Sequence, residues 1–176
     1  MTTNRSPVKL LCDEMLARLG RYLRAAGYDT AIGAEGEHDR ALLARAIAED
    51  RMLLTCDRLM LARRGAAGRV MVLPHGLDAG ARALGERLDI DWLAAPFTRC
   101  LIDNALLRRA TRAEHERLPE RARAVGGPVR ACPDCGRLFW PGSHVKRMAD
   151  RLARWQASFG APSARRRRRR PKVRPP

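Results

Sequence analysis

The stretch "KLLCDEMLARLGRYLRAAGYDTAI", residues 9–32, changes its hydrophobic period halfway, and that change sets the fold class. Val8 to Cys12 is a short apolar run that fits a buried strand. After Asp13 the apolar residues recur at helical spacing. Leu16, Leu19, Leu23 and Ala26 share one face, and Gly27 is placed to close the helix. "YDTAI" then resumes an extended pattern. The acidic pair Asp13 and Glu14 stands where strand turns into helix. Arg21 and Arg24 are expected to project from the side of the helix opposite its apolar stripe, and Arg18 from its flank.

The same rhythm repeats outward from this unit. "GAEGEHD" reads as a loop, and Asp39 opens a helix carrying Leu42, Leu43, Ala46 and Ile47. "RMLLT" (51–55) is a third strand, Asp57 starts another short helix, and Arg69 to Leu73 is a fourth strand. "HGLDAGARALGERL" supplies a further helix that ends before Trp92. Four strands alternating with helices predict an α/β fold, a parallel sheet flanked by helices. From Pro96 to about Gly142 the helical rhythm fades and paired cysteines appear, while "VKRMADRLARWQA" (145–157) predicts a terminal amphipathic helix. No internal repeat is found.

The 176 residues carry a formal net charge of +16, with 45% hydrophobic content, enough for a genuine core. Eight of the basic residues crowd into "ARRRRRRPKVRPP" (164–176), which holds no acid, leaving +8 on the part before it. The arginine run has too little apolar surface to order itself, and the charge as a whole attracts polyanions, nucleic acid first. No apolar run approaches the length needed to span a bilayer, and "MTTNRSPVKLL" is not a secretory signal, so a cytoplasmic location is expected. Thiols stay reduced there, and five cysteines read as metal ligands or core residues rather than a disulfide framework.

Ligands of an open parallel sheet bind outside the carboxyl ends of its strands. Asp13 follows the first strand directly, Asp39 begins the helix after the second, and Asp57 lies two residues beyond Thr55 of the third. Three carboxylates on one edge would repel and raise one another's pKa values unless a divalent cation compensates them. Carboxylate and water ligands suit Mg²⁺ or Mn²⁺, and such an ion can activate water and stabilise charge developing on a phosphodiester. Taken singly, each aspartate is accounted for as a helix cap, and the arginines as an exposed basic face. Equivalent placement after three strands favours a shared site, beside which Arg18, Arg21 and Arg24 become phosphate holders.

"KLLCDEMLARLGRYLRAAGYDT" followed by "HDRALLARAIAEDRMLLTCDRLML", and then "PFTRC", "CPDCGRLFW" and "PGSHVKRM", closely resembles the PIN-like ribonuclease family named for the C-terminal domain of the Mut-seven exonuclease. The resemblance covers roughly residues 8–148. It implies a PIN-like nuclease domain (8–95), a zinc ribbon (96–148), a terminal helix or linker (149–162) and a disordered basic tail (163–176). The implied activity is metal-dependent hydrolysis of RNA, with an acidic site at Asp13, Asp39 and Asp57 and basic positions at Arg21 and Arg24. Glu14 is a neighbour of that site, and Asp78 is the candidate for a fourth acid, at a weakly matched position. The alternative is a module that binds RNA or a ribonucleoprotein without cutting it.

"CPDCG" (132–136) has the C-x-x-C spacing of a zinc knuckle, whose backbone amides point at the sulfurs and whose glycine permits the tight turn. A redox pair would need a helix start in a βαβ context, absent here. The family resemblance places the partner half-site at Cys100, where this chain reads "CLID". Asp103 then stands as fourth ligand beside Cys100, Cys132 and Cys135. A missing fourth ligand, His115, His144, or a ribbon without metal are the other possibilities. His144 reads as a structural hydrogen-bonding residue, Cys12 and Cys56 as small buried residues at strand ends, and Phe139 and Trp140 as packing within the ribbon.

Overall fold

The structure is a computed structural model that describes residues 8–160. The arginine-rich run expected to be disordered lies outside the described residues. Four strands, β1 (Leu10–Cys12), β2 (Thr30–Ile32), β3 (Met52–Thr55) and β4 (Val70–Val72), form a parallel sheet in the order β2-β1-β3-β4. Register is continuous across it, with Leu11 opposite Ala31 on one side and Leu53 on the other. Helices α1 (Ala17–Ala25), α2 (Asp39–Ala48) and α3 (Leu77–Leu88) connect or follow the strands.

Both faces of the sheet are covered, which explains the nearly unbroken apolar strands. Leu10, Cys12, Leu54 and Met71 point into one core with α1 and α3. Leu11 and Leu53 point into the other, with Leu42, Leu43 and Ala46 of α2. The predicted stripe Leu16, Leu19, Leu23 and Ala26 is buried throughout. Gly27 ends α1 with φ of +99°, and a Cβ there would lie 2.5 Å from the Ala95 carbonyl oxygen, so only glycine fits.

The segment after Asp57 differs from the expected helix: it is a 3-10 turn over Arg58–Ala62. Residues 96–142, read as lacking helical rhythm, contain two short helices, α4 (Arg112–Glu116) and α5 (Glu120–Val125). They are too short to show a period, although Thr111 and Glu114 form a capping box at the first. Around them β5 (Arg108–Arg109), β6 (Arg130–Ala131) and β7 (Leu138–Phe139) make a small antiparallel sheet.

The terminal helix α6 runs Ser143–Phe159, longer at both ends than expected. It returns to the main core, burying Met148, Leu152 and Trp155. The Trp155 ring lies 4.8 Å from that of Trp92 and 5.0 Å from that of Tyr22. A Cβ at Gly85 would collide with the Phe159 carbonyl, so α3 accepts the end of α6 by having no side chain there. Among the described residues no helix is long and apolar enough to cross a membrane.

Candidate functional site

Strand order gives the sheet a topological switch point. The chain leaves β1 toward β2 on one side and returns to β3 on the other, opening a crevice at the carboxyl ends of β1 and β3. Asp13 follows β1, and its backbone N–H donates to the Leu54 carbonyl of β3 at 3.0 Å. Asp57 lies beyond the end of β3. Both acids therefore flank the switch point, and Asp39, first residue of α2, stands beyond β2 on the same rim.

Each carboxylate also has a local task. Oδ1 of Asp13 accepts from Leu16 N–H at 3.0 Å, and Oδ1 of Asp57 from Leu59 N–H at 2.8 Å, so both cap the turn that follows. Oδ2 of each accepts no hydrogen bond from the described residues. Asp39 is ion-paired, its Oδ2 taking a bond from the Arg63 guanidinium at 2.6 Å. Glu14 turns away, accepting from Gly36 N–H at 2.7 Å. An open cavity of about 830 Å³ lies alongside, lined by Gly36, His38, Asp39, Arg40 and Arg63 among others. The three aspartates share the rim, but they are not drawn into a group of ligand atoms close enough to surround one ion.

Arg18 and Arg21 are exposed on α1, as expected. Arg24 is not: it is only 5% exposed, a correction to the reading of it as part of a solvent-facing basic surface. Its Nε donates to the Thr30 carbonyl at 2.7 Å, and its Nη1 to the carbonyls of Leu101 and Ile102 at 3.0 and 2.6 Å. Burial lowers its pKa, opposed by the nearby Cys12, Cys100 and Asp103. Helical spacing put Arg24 outside the stripe, but the 96–107 segment covers that side of α1.

Asp78 is also occupied. Its Oδ1 accepts the Trp155 indole N–H at 2.8 Å, tying α3 to α6, and that bond alone gives an acid at this place a structural purpose. His144 is exposed on the first turn of α6 and its side chain makes no hydrogen bond with the described residues, unlike the structural bond expected of it. Cys12 is buried as expected, its thiol pushed up in pKa chiefly by burial, but Cys56 is half-exposed.

The second constellation closes tightly. Ligand atoms of Cys100, Asp103, Cys132 and Cys135 all lie within 4.8 Å of one another, and this group could hold a metal ion. Cys100 and Cys135 sulfurs are 3.8 Å apart, while the Cys132 sulfur lies 3.2–3.3 Å from the Asp103 oxygens. Thiolates ~2.3 Å from a tetrahedral ion stand about 3.8 Å apart, so the spacing fits. His115 does not join this group.

The two half-sites are built alike. In "CPDCG" the Gly136 N–H bonds back to the Cys132 carbonyl at 3.1 Å, with Gly136 at φ of +68°. In "CLIDN" the Asn104 N–H bonds back to the Cys100 carbonyl at 3.1 Å, with Asn104 at φ of +76°. Asparagine is the side-chain-bearing residue that tolerates this left-handed region best, so Cys-x-x-Asp-Asn makes the same turn as Cys-x-x-Cys-Gly. The sequence carries this signal in the match of Asn104 to Gly136. The Ile102 amide also points at the Cys100 sulfur, 3.4 Å away.

The Cys100 and Cys135 sulfurs, and the Cys132 sulfur and Asp103 carboxylate, lie within hydrogen-bonding distance of one another. Burial pushes the Cys100 thiol up to about 12. Desolvation acts to raise the Asp103 carboxyl, but hydrogen bonds led by those from Cys135 and Ala105 outweigh it and hold the group well below the usual carboxylate range. A cation entering such a site displaces those protons.

No curated protein and no solved structure matches this chain. Residues 8–152, spanning both constellations and most of the chain, match the family described as the Mut7-C RNAse domain. The chain therefore belongs to the Mut7-C RNAse domain family.

Proposed function

We propose that the protein is a ribonuclease with a PIN-like catalytic domain, using Mg²⁺ or Mn²⁺ held at the rim by Asp13 and Asp57, with Asp39 joining them. The observation that carries this reading is the placement of Asp13 and Asp57 on either side of the switch point, where parallel sheets bind ligands. Family membership supports RNA as substrate. The donors suit a hard dication, since Oδ2 of Asp13 and of Asp57 takes no bond from the described residues while Oδ1 fixes the local turn. When bound, the ion supplies an acidified water and charge stabilisation at the scissile phosphate.

The chain's own residues have separable tasks in this reading. Asp13 and Asp57 hold the ion in place, their side chains already oriented by the amides of Leu16 and Leu59. Asp39, ion-paired with Arg63, would become available as a ligand on opening of that pair. Arg18 and Arg21, exposed on the helix that starts beside Asp13, attract the phosphodiester backbone. Asp78 and Arg24 are assigned structural rather than catalytic and RNA-binding roles.

The Cys100, Asp103, Cys132 and Cys135 group is read as a structural zinc site that organises the small sheet into a ribbon. Three sulfurs and one carboxylate suit zinc better than magnesium, whose preference is for oxygen alone.

The test is cleavage of structured and unstructured RNA with Mn²⁺ or Mg²⁺, by the wild type and by Asp13→Asn and Asp57→Asn. Each substitution is expected to lower cleavage by about 100-fold or more while RNA binding persists. Cleavage that survives both changes, or continues in excess chelator, overturns the metal mechanism.

A further inference from the structure

The small antiparallel sheet opposes two like charges. Arg109 of β5 and Arg130 of β6 are direct cross-strand partners, so their side chains leave the same face of the sheet. Like charges directly opposite are destabilising. The neighbouring cations are paired, Arg108 with Glu114 and Arg112 with Glu116. Arg109 and Arg130 have no carboxylate partner among the described residues. They line an open groove of about 730 Å³ together with Thr111, Arg112, His115 and Pro128, and none of its described lining residues is acidic. An arrangement that costs stability in the free protein is relieved by an anion lying between the two guanidinium groups.

The next residue in the same row is aromatic. Arg130 is the cross-strand partner of Phe139 on β7, so Arg109, Arg130 and Phe139 form one line across the face. Arg130 and Pro128 also line a second cavity, of about 210 Å³, whose wall includes Phe97, Arg99, Phe139 and Trp140. Its volume is below the ~300–1,000 Å³ of sites for drug-sized molecules and suits one flat ring system. Trp140 is half-buried, packed near Leu118 and Val129, and also faces the cavity. A cationic groove leading into an aromatic pocket is what a single strand of nucleic acid requires: charge for its phosphates, π-faces for its bases.

We propose that this face of the ribbon binds single-stranded RNA, with backbone phosphate between Arg109 and Arg130 and a base in the Phe97–Phe139–Trp140 pocket. The choice of RNA rests on the ribonuclease reading; the geometry of the face does not. None of Asp13, Asp39 and Asp57 lines this face, so it positions substrate rather than reacting with it. It also changes the reading of Phe139 and Trp140, which serve packing and recognition together.

The experiment measures binding of a labelled 12-nucleotide oligouridylate to the full zinc-loaded chain, without added Mg²⁺ or Mn²⁺, across a salt series. The Arg109→Ala/Arg130→Ala protein should bind about tenfold more weakly at low salt. Its log affinity should fall less steeply with log salt, by up to ~1.4 in slope for two lost phosphate contacts. Arg109→Lys/Arg130→Lys should restore most of the slope, which a merely structural role would not predict.

Trp92 and Trp155 are buried in the main core, so Trp140 fluorescence reports on the pocket. The oligonucleotide should quench it in the wild type, and Trp140→Phe should lose that quenching while retaining zinc. Unchanged affinity and slope in the double alanine protein, with zinc content and melting intact, overturn the proposal whatever the cleavage assay gives. Loss of binding there, with no cleavage by wild type under any metal, upholds the face and removes the nuclease reading.

Discussion

Replacing Arg24 with methionine tests whether this arginine is a brace or a phosphate holder. The side chain is 5% exposed and donates three hydrogen bonds, all to backbone carbonyls: Thr30 at the start of β2, and Leu101 and Ile102 within the Cys100–Asp103 turn. Methionine keeps much of the apolar stem but leaves those acceptors without a donor. A bond to a charged donor contributes about 1.5–3 kcal/mol, and removal of the buried charge itself gives part of that back. The net cost is then ~3 kcal/mol, which lowers the melting temperature of a domain this size by about 6–12 °C. Thermal unfolding of zinc-loaded protein measures it, with Arg21→Met as control, expected within ~0.5 kcal/mol of wild type because Arg21 is exposed. Zinc transfer to a chromophoric chelator should also quicken in Arg24→Met, since the Leu101–Ile102 turn loses its anchor. An Arg24→Met protein that melts like wild type but loses RNA affinity would show that the brace is wrong and the basic-face reading right.

The other expectations are narrower. Asp103→Cys converts the metal site to four sulfurs on an unchanged turn, and competition with a chelator should show zinc held about tenfold more tightly or better; weaker binding would mean Asp103 is not a ligand. Asp78→Ala removes the acceptor of the Trp155 indole and should cost about 1 kcal/mol in thermal stability with cleavage unchanged. Loss of cleavage at constant stability would instead restore Asp78 as a fourth acid. The Arg108 side chain, with help from Thr111, holds the Glu114 carboxyl down at about 2. Because the folded pKa is depressed, its stabilising effect is present above the unfolded value near 4.5 and is lost as pH falls through about 2. Protection of the α4 amides, corrected for the intrinsic exchange rate, should therefore hold as pH passes through 4 and fall below 3 in the wild type, whereas in Arg108→Ala, which keeps the Thr111 bonds, it should fall at a higher pH that is still below 4.5.

The sequence alone determined what depends on near neighbours. Short unbroken apolar runs and period-3.6 patterns in residues 8–88 announced strands and helices in the right order, because burial of strands on both faces and of one helix face leaves a local record. The C-x-x-C spacing and the charge of the chain were equally direct. Short elements such as α4 and α5 leave no such record. What only the tertiary structure decided were the partners across long separations. Arg24 meets residues 77 and 78 positions away, Asp78 meets Trp155 likewise 77 away, and Arg109 faces Arg130 across two strands of two residues. A solvent-facing arginine and a buried one share the same helical spacing, and an acid that binds a metal is spelled like one that holds an indole. Which of the two each becomes is settled by the segment that packs over it, and periodicity within one element says nothing about that segment.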